Sequence, residues 1–385
     1  MKNARSVARW SVACALGAAL TAQAPVLHVG GPVPDFADLP AAVAAAVPGS
    51  ILVVHPGTYT GFTTGKPLRV VLEFGPGGGA VVPAPGAAYA IRITGLPLGA
   101  KFVLVGHATT VTPGPLGAVR LDANAGTVVV EGLSITANAA PAIDVQNAAS
   151  VFVDHSFLIG APALQAQAAA LVTNDTAFLG ATTTANAAMV LDQVGFEGML
   201  GGFVGYAAPA IRAFGSELDF AGNGTTPMHV NGLPVTPVSA IELTTSSLRW
   251  QPAHFAIGPA LGAPAVATVA STIVVEPQTA LLARGAAPGG TATLSLTCPT
   301  PVPGVVVMGG LGQPYGVFGL NGLYVDPFQP NAVILAGQVN PAGLNWQATV
   351  PPGNILYGYS FVVQAILLRP NGVLQRQAPA PIIVL

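Results

Sequence analysis

Few residues in this chain carry chemistry. Asp154 and Asp175 stand 21 residues apart in two similar segments, Pro141 to Phe157 and Pro162 to Phe178. If the segments are successive coils of a repeat, the two carboxylates sit on neighbouring strands about 5 Å apart. Paired carboxylates that cleave glycosidic bonds stand about 5–10 Å apart. His155 follows Asp154, but its counterpart in the next segment is Thr176. Asp154, His155 and Asp175 are thus the candidate catalytic residues, and the simpler expectation for them is an exposed strand end recurring from coil to coil. Glu217 and Asp219 share one face of a strand and invite the same two readings.

Other chemistries lack their parts. The histidines at 28, 55, 107, 155, 229 and 254 show neither H-x-x-x-H nor H-x-H spacing and read as turn or surface residues, so no metal site is expected. No serine sits in G-x-S-x-G. The glycine run Gly77 to Gly79 lacks a following G-K-[ST], so neither a phosphate loop nor any cofactor is expected. Arg212 is the only arginine between Arg120 and Arg249, which leaves the best-repeated region without a cationic cluster.

The elements that position these residues read as short strands. At the 21-residue offset Ile143 meets Leu164, Val151 meets Val172, Asp154 meets Asp175 and Phe157 meets Phe178. Backward, an offset of 24 sets Thr127, Val129 and Leu133 against Val151, Val153 and Phe157. Alternate side chains of a strand share a face, so Ile143, Val145, Val151, Val153 and Phe157 are expected inside, stacked on Leu164, Val172 and Phe178. Small Ala, Gly, Ser and Asn residues turn the corners. A helix is expected within Asp38 to Gly49, capped by Asp38, with Pro40 in its first turn and Pro48-Gly49 stopping it, and a strand follows from Ser50. From residue 285 onward, alternating segments at Thr291–Thr297, Asn331–Ala336, Asn345–Val350, Tyr359–Leu368 and Ala380–Leu385, set off by Asn321-Gly322, Pro352-Gly353 and Asn371-Gly372, predict a β-sandwich. The division is residues 1–24, 25–284 and 285–385.

Composition agrees. Charged residues make up 7% of the 385, while 51% are hydrophobic, and 47 Gly with 36 Pro leave little room for long helices. Lys2, Arg5 and Arg9 precede an apolar run from Trp10 to Leu20 and the small-x-small triplet Ala22-Gln23-Ala24, the layout of a secretory signal peptide. Its removal takes the formal charge from −2 to about −5 and leaves Cys298 as the only cysteine. No nucleic-acid partner, intrachain disulfide or helical membrane span is expected of the mature chain. An outer-membrane barrel is disfavoured by the 6% aromatic content, too little for two girdles.

The lone helix followed by Ser50 to Tyr59 with its P-G-T-Y turn resembles the N-terminal cap and first rung of secreted right-handed parallel β-helix proteins of the pectin-lyase-like superfamily. Val151 to Phe157 resembles the V-W-I-D-H-C-S-F segment of pectate lyases, but the R-x-P-x-x-R motif that supplies their base is missing. The polygalacturonase set N-T-D, Asp-Asp, G-H-G and R-I-K also fails, Gly106-His107 being an isolated dipeptide. The C-terminal run from Val350 resembles a module of secreted planctomycete proteins. These resemblances imply an all-β protein, a right-handed parallel β-helix followed by a small β-sandwich. The expected function is non-catalytic, structural or carbohydrate-contacting, secreted or at the cell surface, with extracellular polysaccharide or cell-envelope components as partners. The rival expectation is a divergent polysaccharide lyase or glycoside hydrolase.

Overall fold

The computed structural model describes residues 25–73, 78–182, 185–220, 226–231, 236–251, 255–275, 280–284, 289–299, 301–310, 315–317, 320–323, 333–349, 360–368, 374–376 and 380–383. The signal segment, Pro352-Gly353 and Asn371-Gly372 lie outside them.

The chain is a parallel β-helix followed by small antiparallel sheets. One wall is a nine-stranded parallel sheet running from Phe62–Thr64 to Val266–Val269. The other is a 16-stranded parallel sheet whose main path runs from Val26–Val29 to Thr272–Val275. A single coil shows the plan: Ile143–Gln146 in the first wall, a corner, Ser150–Asp154 in the second, a bend, then Phe157–Gly160. Apolar residues stack from coil to coil. Val119, Ile143, Leu164, Met189, Ile211 and Ile241 form one inward column. Val128, Val151, Leu171, Phe196, Leu218 and Leu248 form another. On the third side Ile135, Leu158, Phe178, Phe203 and Met228 align, with the Phe178 and Phe203 rings stacked at 5.3 Å.

The corners are single left-handed residues: Ala123, Asn147, Ala168, Gln193, Gly215, Thr245 and Ala270 all have φ between 48° and 55°. Such a residue tilts the next N–H out of the regular ladder. From Ser216 onward a hydroxyl supplies the substitute acceptor. Val194 N donates to Ser216 Oγ (3.0 Å), Ser216 N to Ser246 Oγ (3.1 Å) and Ser246 N to Ser271 Oγ (3.0 Å). Each of these hydroxyls donates to the carbonyl two residues back, at 2.8 Å.

The N-terminal end is closed by the helix Leu39–Ala45, whose Leu39, Ala42 and Val43 join the core. Asp38 Oδ1 accepts from Leu39 N and Thr60 N, both at 2.8 Å. Lys66 Nζ donates to the carbonyls of Val43, Ala44 and Ala46 at the other end, as favours a helix C-terminus. The helix ends at Ala45, just short of the Pro48-Gly49 pair expected to stop it.

Register corrects several expectations. The 21-residue offset holds in the nine-stranded sheet, where Ile143 pairs with Leu164. After the corner it becomes 20, because one residue fewer separates Gln167 from Leu171 than separates Gln146 from Val151. Val151 therefore pairs with Leu171, Asp154 with Asn174 and Phe157 with Ala177. The backward offset is 23, with Val128 on Val151 and Glu131 on Asp154. Ile143, Val145, Val151 and Val153 are inside as expected, but Phe157 is 45% exposed and Leu158 takes its place in the core. Val172 is buried on the face opposite the Val151 column.

Beyond the coils, Ala280–Arg284, which the sequence reading placed before the boundary, pairs antiparallel with Thr291–Thr297, and that strand with Leu344–Thr349. Val302–Gly310 pairs with Val333–Val339 and Ser360–Leu368 in a second sheet. Leu281, Leu294 and Leu296 of the first pack with Val306, Val339, Val363 and Leu367 of the second, a sandwich core. Asn321-Gly322 is not a turn here but lies within the strand Leu320–Leu323.

Two stability measurements check this packing. Phe178→Ala should cost about 3–5 kcal/mol by equilibrium denaturation, whereas Phe157→Ala should cost under about 1 kcal/mol. Ser246→Ala should cost about 1–3 kcal/mol, because it strips the buried Ser216 N–H of its acceptor.

Candidate functional site

The second bend of three successive coils repeats the corner's device. Gly132, His155 and Asp175 occupy it on three successive coils with φ of 66°, 43° and 42°. The hydroxyl that follows again supplies the missing acceptor: Leu133 N donates to Ser156 Oγ (3.2 Å) and Ser156 N to Thr176 Oγ1 (3.3 Å). Ser156 Oγ donates to Asp154 O and Thr176 Oγ1 to Asn174 O. Just before the bend, Glu131, Asp154 and Asn174 stack in register.

Asp154 is not the exposed strand end that the sequence suggested. It is 2% exposed, Glu131 and Asn174 each 5%. Alternation puts these residues on the sheet face away from the bore, yet that face is covered here. Asp154 Oδ1 accepts from His155 N and Asn174 Nδ2, each at 2.9 Å, and His155 Nδ1 stands 2.9 Å from the same oxygen. His155 Nε2 stands 3.3 Å from Asp175 Oδ2. Glu131 Oε2 is buried without a hydrogen-bond partner.

These surroundings govern ionisation. Burial, then the adjacent Asp154, pushes the Glu131 carboxyl up to about 8. Burial also raises Asp154, opposed by its bonds from His155 and Asn174. The bond to Asp154 raises His155 to about 9 against the effect of burial. Since three N–H groups address Asp154 Oδ1 and none addresses Glu131 Oε2, the negative charge rests on Asp154. Hydrogen bonding thus favours Asp154 over Glu131 as the carboxylate that pairs with His155, and burial favours the proton on Glu131.

Ligand atoms of Glu131, Asp154 and His155 all lie within 4.8 Å of one another. Calcium takes six to eight oxygen ligands, and this trio offers two carboxylates, one of them engaged by His155 and Asn174. An imidazole held between two carboxylates likewise has no free nitrogen for zinc. The trio could take an ion only by giving up the His155–Asp154 contact.

Outside this buried column lies a cleft of about 430 Å³ lined by residues that include Ser134, His155, Phe157, Asp175 and Thr176. The structure thus brings Asp154, His155 and Asp175 together, but around His155 rather than as a carboxylate pair. Glu131 is the member that sequence reasoning missed. Its signal was the 23-residue offset to Asp154, hidden by alignment at 24. Glu217 is exposed, while Asp219 is buried with Arg249 Nη1 3.9 Å away.

No protein-family profile and no curated protein matches the chain. Among solved structures it is similar to the enzymatically active domain of bacteriophage CBA120 tailspike protein 2, at 10% identity over 94% of this chain and 71% of that one, with a TM-score of 0.43. It is similar to full-length tailspike protein 2 of an Escherichia coli O157:H7 bacteriophage, at 10% identity over 92% and 63%, TM-score 0.42. A third is tailspike gp49 of the Acinetobacter baumannii bacteriophage Fri1, a capsular polysaccharide depolymerase, at 8% identity over 93% and 80%, TM-score 0.25. No site residue is carried over from them.

The three raised groups, Glu131, Asp154 and His155, bind more protons in the folded than in the unfolded state. Their contribution is therefore full at low pH and lost as pH rises through the folded values. Glu131 acts between its ordinary 4.5 and about 8, His155 between 6.5 and about 9. Stability should accordingly decline from about pH 4.5 to about 8, above which Lys101, lowered to about 8 by burial, contributes the opposite slope, and Glu131→Gln should remove Glu131's share of that decline, as read by denaturation at a series of pH values.

Proposed function

We propose that this chain is an extracellular, non-catalytic β-helix protein that contacts carbohydrate at the cleft around Phe157. The observation that carries the reading is Phe157 itself. A large aromatic ring, 45% exposed, lines a cleft beside the Asp175 carboxylate and the His155 imidazole. An aromatic face offers apolar area to the C–H side of a sugar ring, and a few convergent polar groups fix its orientation. Charge-assisted bonds to hydroxyls suit Asp175 and His155.

The non-catalytic part rests on accessibility. Cleavage needs an acid and a base or nucleophile on either side of the scissile bond. Glu131 and Asp154 are carboxyls with oxygens within 4.8 Å of each other, buried under the cleft rather than flanking it. The location rests on the signal-peptide layout of residues 1–24. Membership of the pectin-lyase-like superfamily and a planctomycete-type C-terminal module are part of the same proposal, resting on the sequence resemblances and, for the first, on the coiled parallel architecture. Among the described residues no helix is long and apolar enough to cross a membrane.

A panel of pectins, alginates, capsular polysaccharides and neutral glycans tests the reading, with binding and product release measured together. Binding without products is expected, weakened about tenfold, or about 1.4 kcal/mol, in Phe157→Ala. Products that vanish in Glu131→Gln or Asp154→Asn would establish the lyase or hydrolase alternative instead.

A further inference from the structure

Two histidines far apart in sequence meet at the capped end of the β-helix. His28 lies on the strand Val26–Val29 and His55 directly follows Ile51–Val54, its parallel neighbour. His28 Nδ1 faces His55 Nε2 at 3.2 Å. The ring planes differ by 6° with centroids 5.3 Å apart, so two nearly coplanar rings meet edge to edge. The other nitrogen of His55, Nδ1, stands 3.0 Å from Glu73 Oε2. On its carbon side the His55 ring lies against Gly31, where φ is +81° and a Cβ would come within 2.8 Å of Cδ2. Asp35 Oδ2 accepts from the His28 main-chain N–H at 2.8 Å, which places a second carboxyl group near the pair, on the same turn as His28.

We propose that His28 and His55 form a binding site for a divalent transition-metal ion, with Glu73 as the positioning residue that orients His55. Two imidazole nitrogens 3.2 Å apart span the edge of a coordination polyhedron. With metal–nitrogen bonds of about 2.0–2.1 Å they subtend roughly 100° at the ion, close to the tetrahedral and square values, once the two rings, whose nitrogens face each other in the free protein, each turn by roughly 40° so that both lone pairs converge on it. A carboxylate on the outer nitrogen is the arrangement that fixes the tautomer of a ligating histidine. It leaves the inner nitrogen of His55 with its lone pair directed at His28. In the free protein the His28 Nδ1 proton fills the gap. Metal binding transfers that proton to His28 Nε2, so no oxidant or further reactant is involved. Water completes the coordination. Imidazole donors favour Cu²⁺ over Ni²⁺ and Zn²⁺, and all three over Ca²⁺ and Mg²⁺. His28 is exposed, which leaves the site open to solvent. The inference is independent of the carbohydrate reading, since the cleft shares none of these residues.

The test is calorimetric titration of the purified protein with Cu²⁺ and, separately, Zn²⁺, with electron paramagnetic resonance of the copper form. One ion per chain is expected, with two nitrogen ligands at copper and tighter binding of Cu²⁺ than of Zn²⁺. His28→Ala and His55→Ala should each weaken binding at least about tenfold, and Glu73→Gln roughly 10–100-fold, the usual effect of losing an orienting carboxylate. His155→Ala should leave it unchanged. Thermal melts show whether each variant is folded, and the exposed His28→Ala decides if His55→Ala is not. Affinity unchanged in His28→Ala, or lost in His155→Ala, would overturn the proposal.

Discussion

Everything in this protein follows from how it turns corners. A parallel coil must change direction without losing the hydrogen bond from each coil to the next. Here a single residue adopts the left-handed conformation, and where Ser or Thr follows, its hydroxyl accepts the N–H that the turn displaces. The same hydroxyl returns its proton to a carbonyl two residues back, so the hydroxyl is itself satisfied. One residue per corner also fixes the phase of the strand that follows. Adding or removing one residue at a corner shifts the whole next strand against its neighbour, as happens between Asn147 and Ala168.

That phase determines the site. With a 23-residue step before it and a 20-residue step after it, Asp154 lies between Glu131 and Asn174. The bend then swings His155 over Asp154, and Asp175 beside His155. Two neighbouring carboxyls out of water cannot both ionise cheaply. The cluster resolves this by hydrogen bonding Asp154 thoroughly and leaving Glu131 its proton. Such a column is poorly suited to flanking a sugar, whereas the surface it supports, with Phe157 turned outward, is suited to holding one.

Much of the fold was legible because alternation of apolar residues survives any choice of corner. Ile143, Val145, Leu164, Val151 and Val153 were placed inside from their spacing alone, and the antiparallel strands beyond 290 from theirs. The capping helix was visible from Asp38 and Pro40. The corners were not. Left-handed positions filled by Ala, Gln and Thr carry no signature, since only Asn147 and Gly215 are residues that this conformation favours. The one-residue slip was therefore invisible, and with it went the exposure of Phe157 and the partnership of Glu131 with Asp154. The meeting of His28 with His55 was hidden for a related reason: they are separated by the whole capping helix and a full turn of chain.

The claim that coil register buries Glu131 against Asp154 can be read from one nucleus. The chain contains six glutamates, so carboxyl-¹³C labelling of glutamate followed by a nuclear magnetic resonance pH titration resolves them individually. The account predicts one carboxyl titrating near 8, identified by its loss in Glu131→Gln, and lowered in Asp154→Asn, which keeps the effect of burial but removes the neighbouring charge. Six carboxyls titrating together near 4.5 would contradict it.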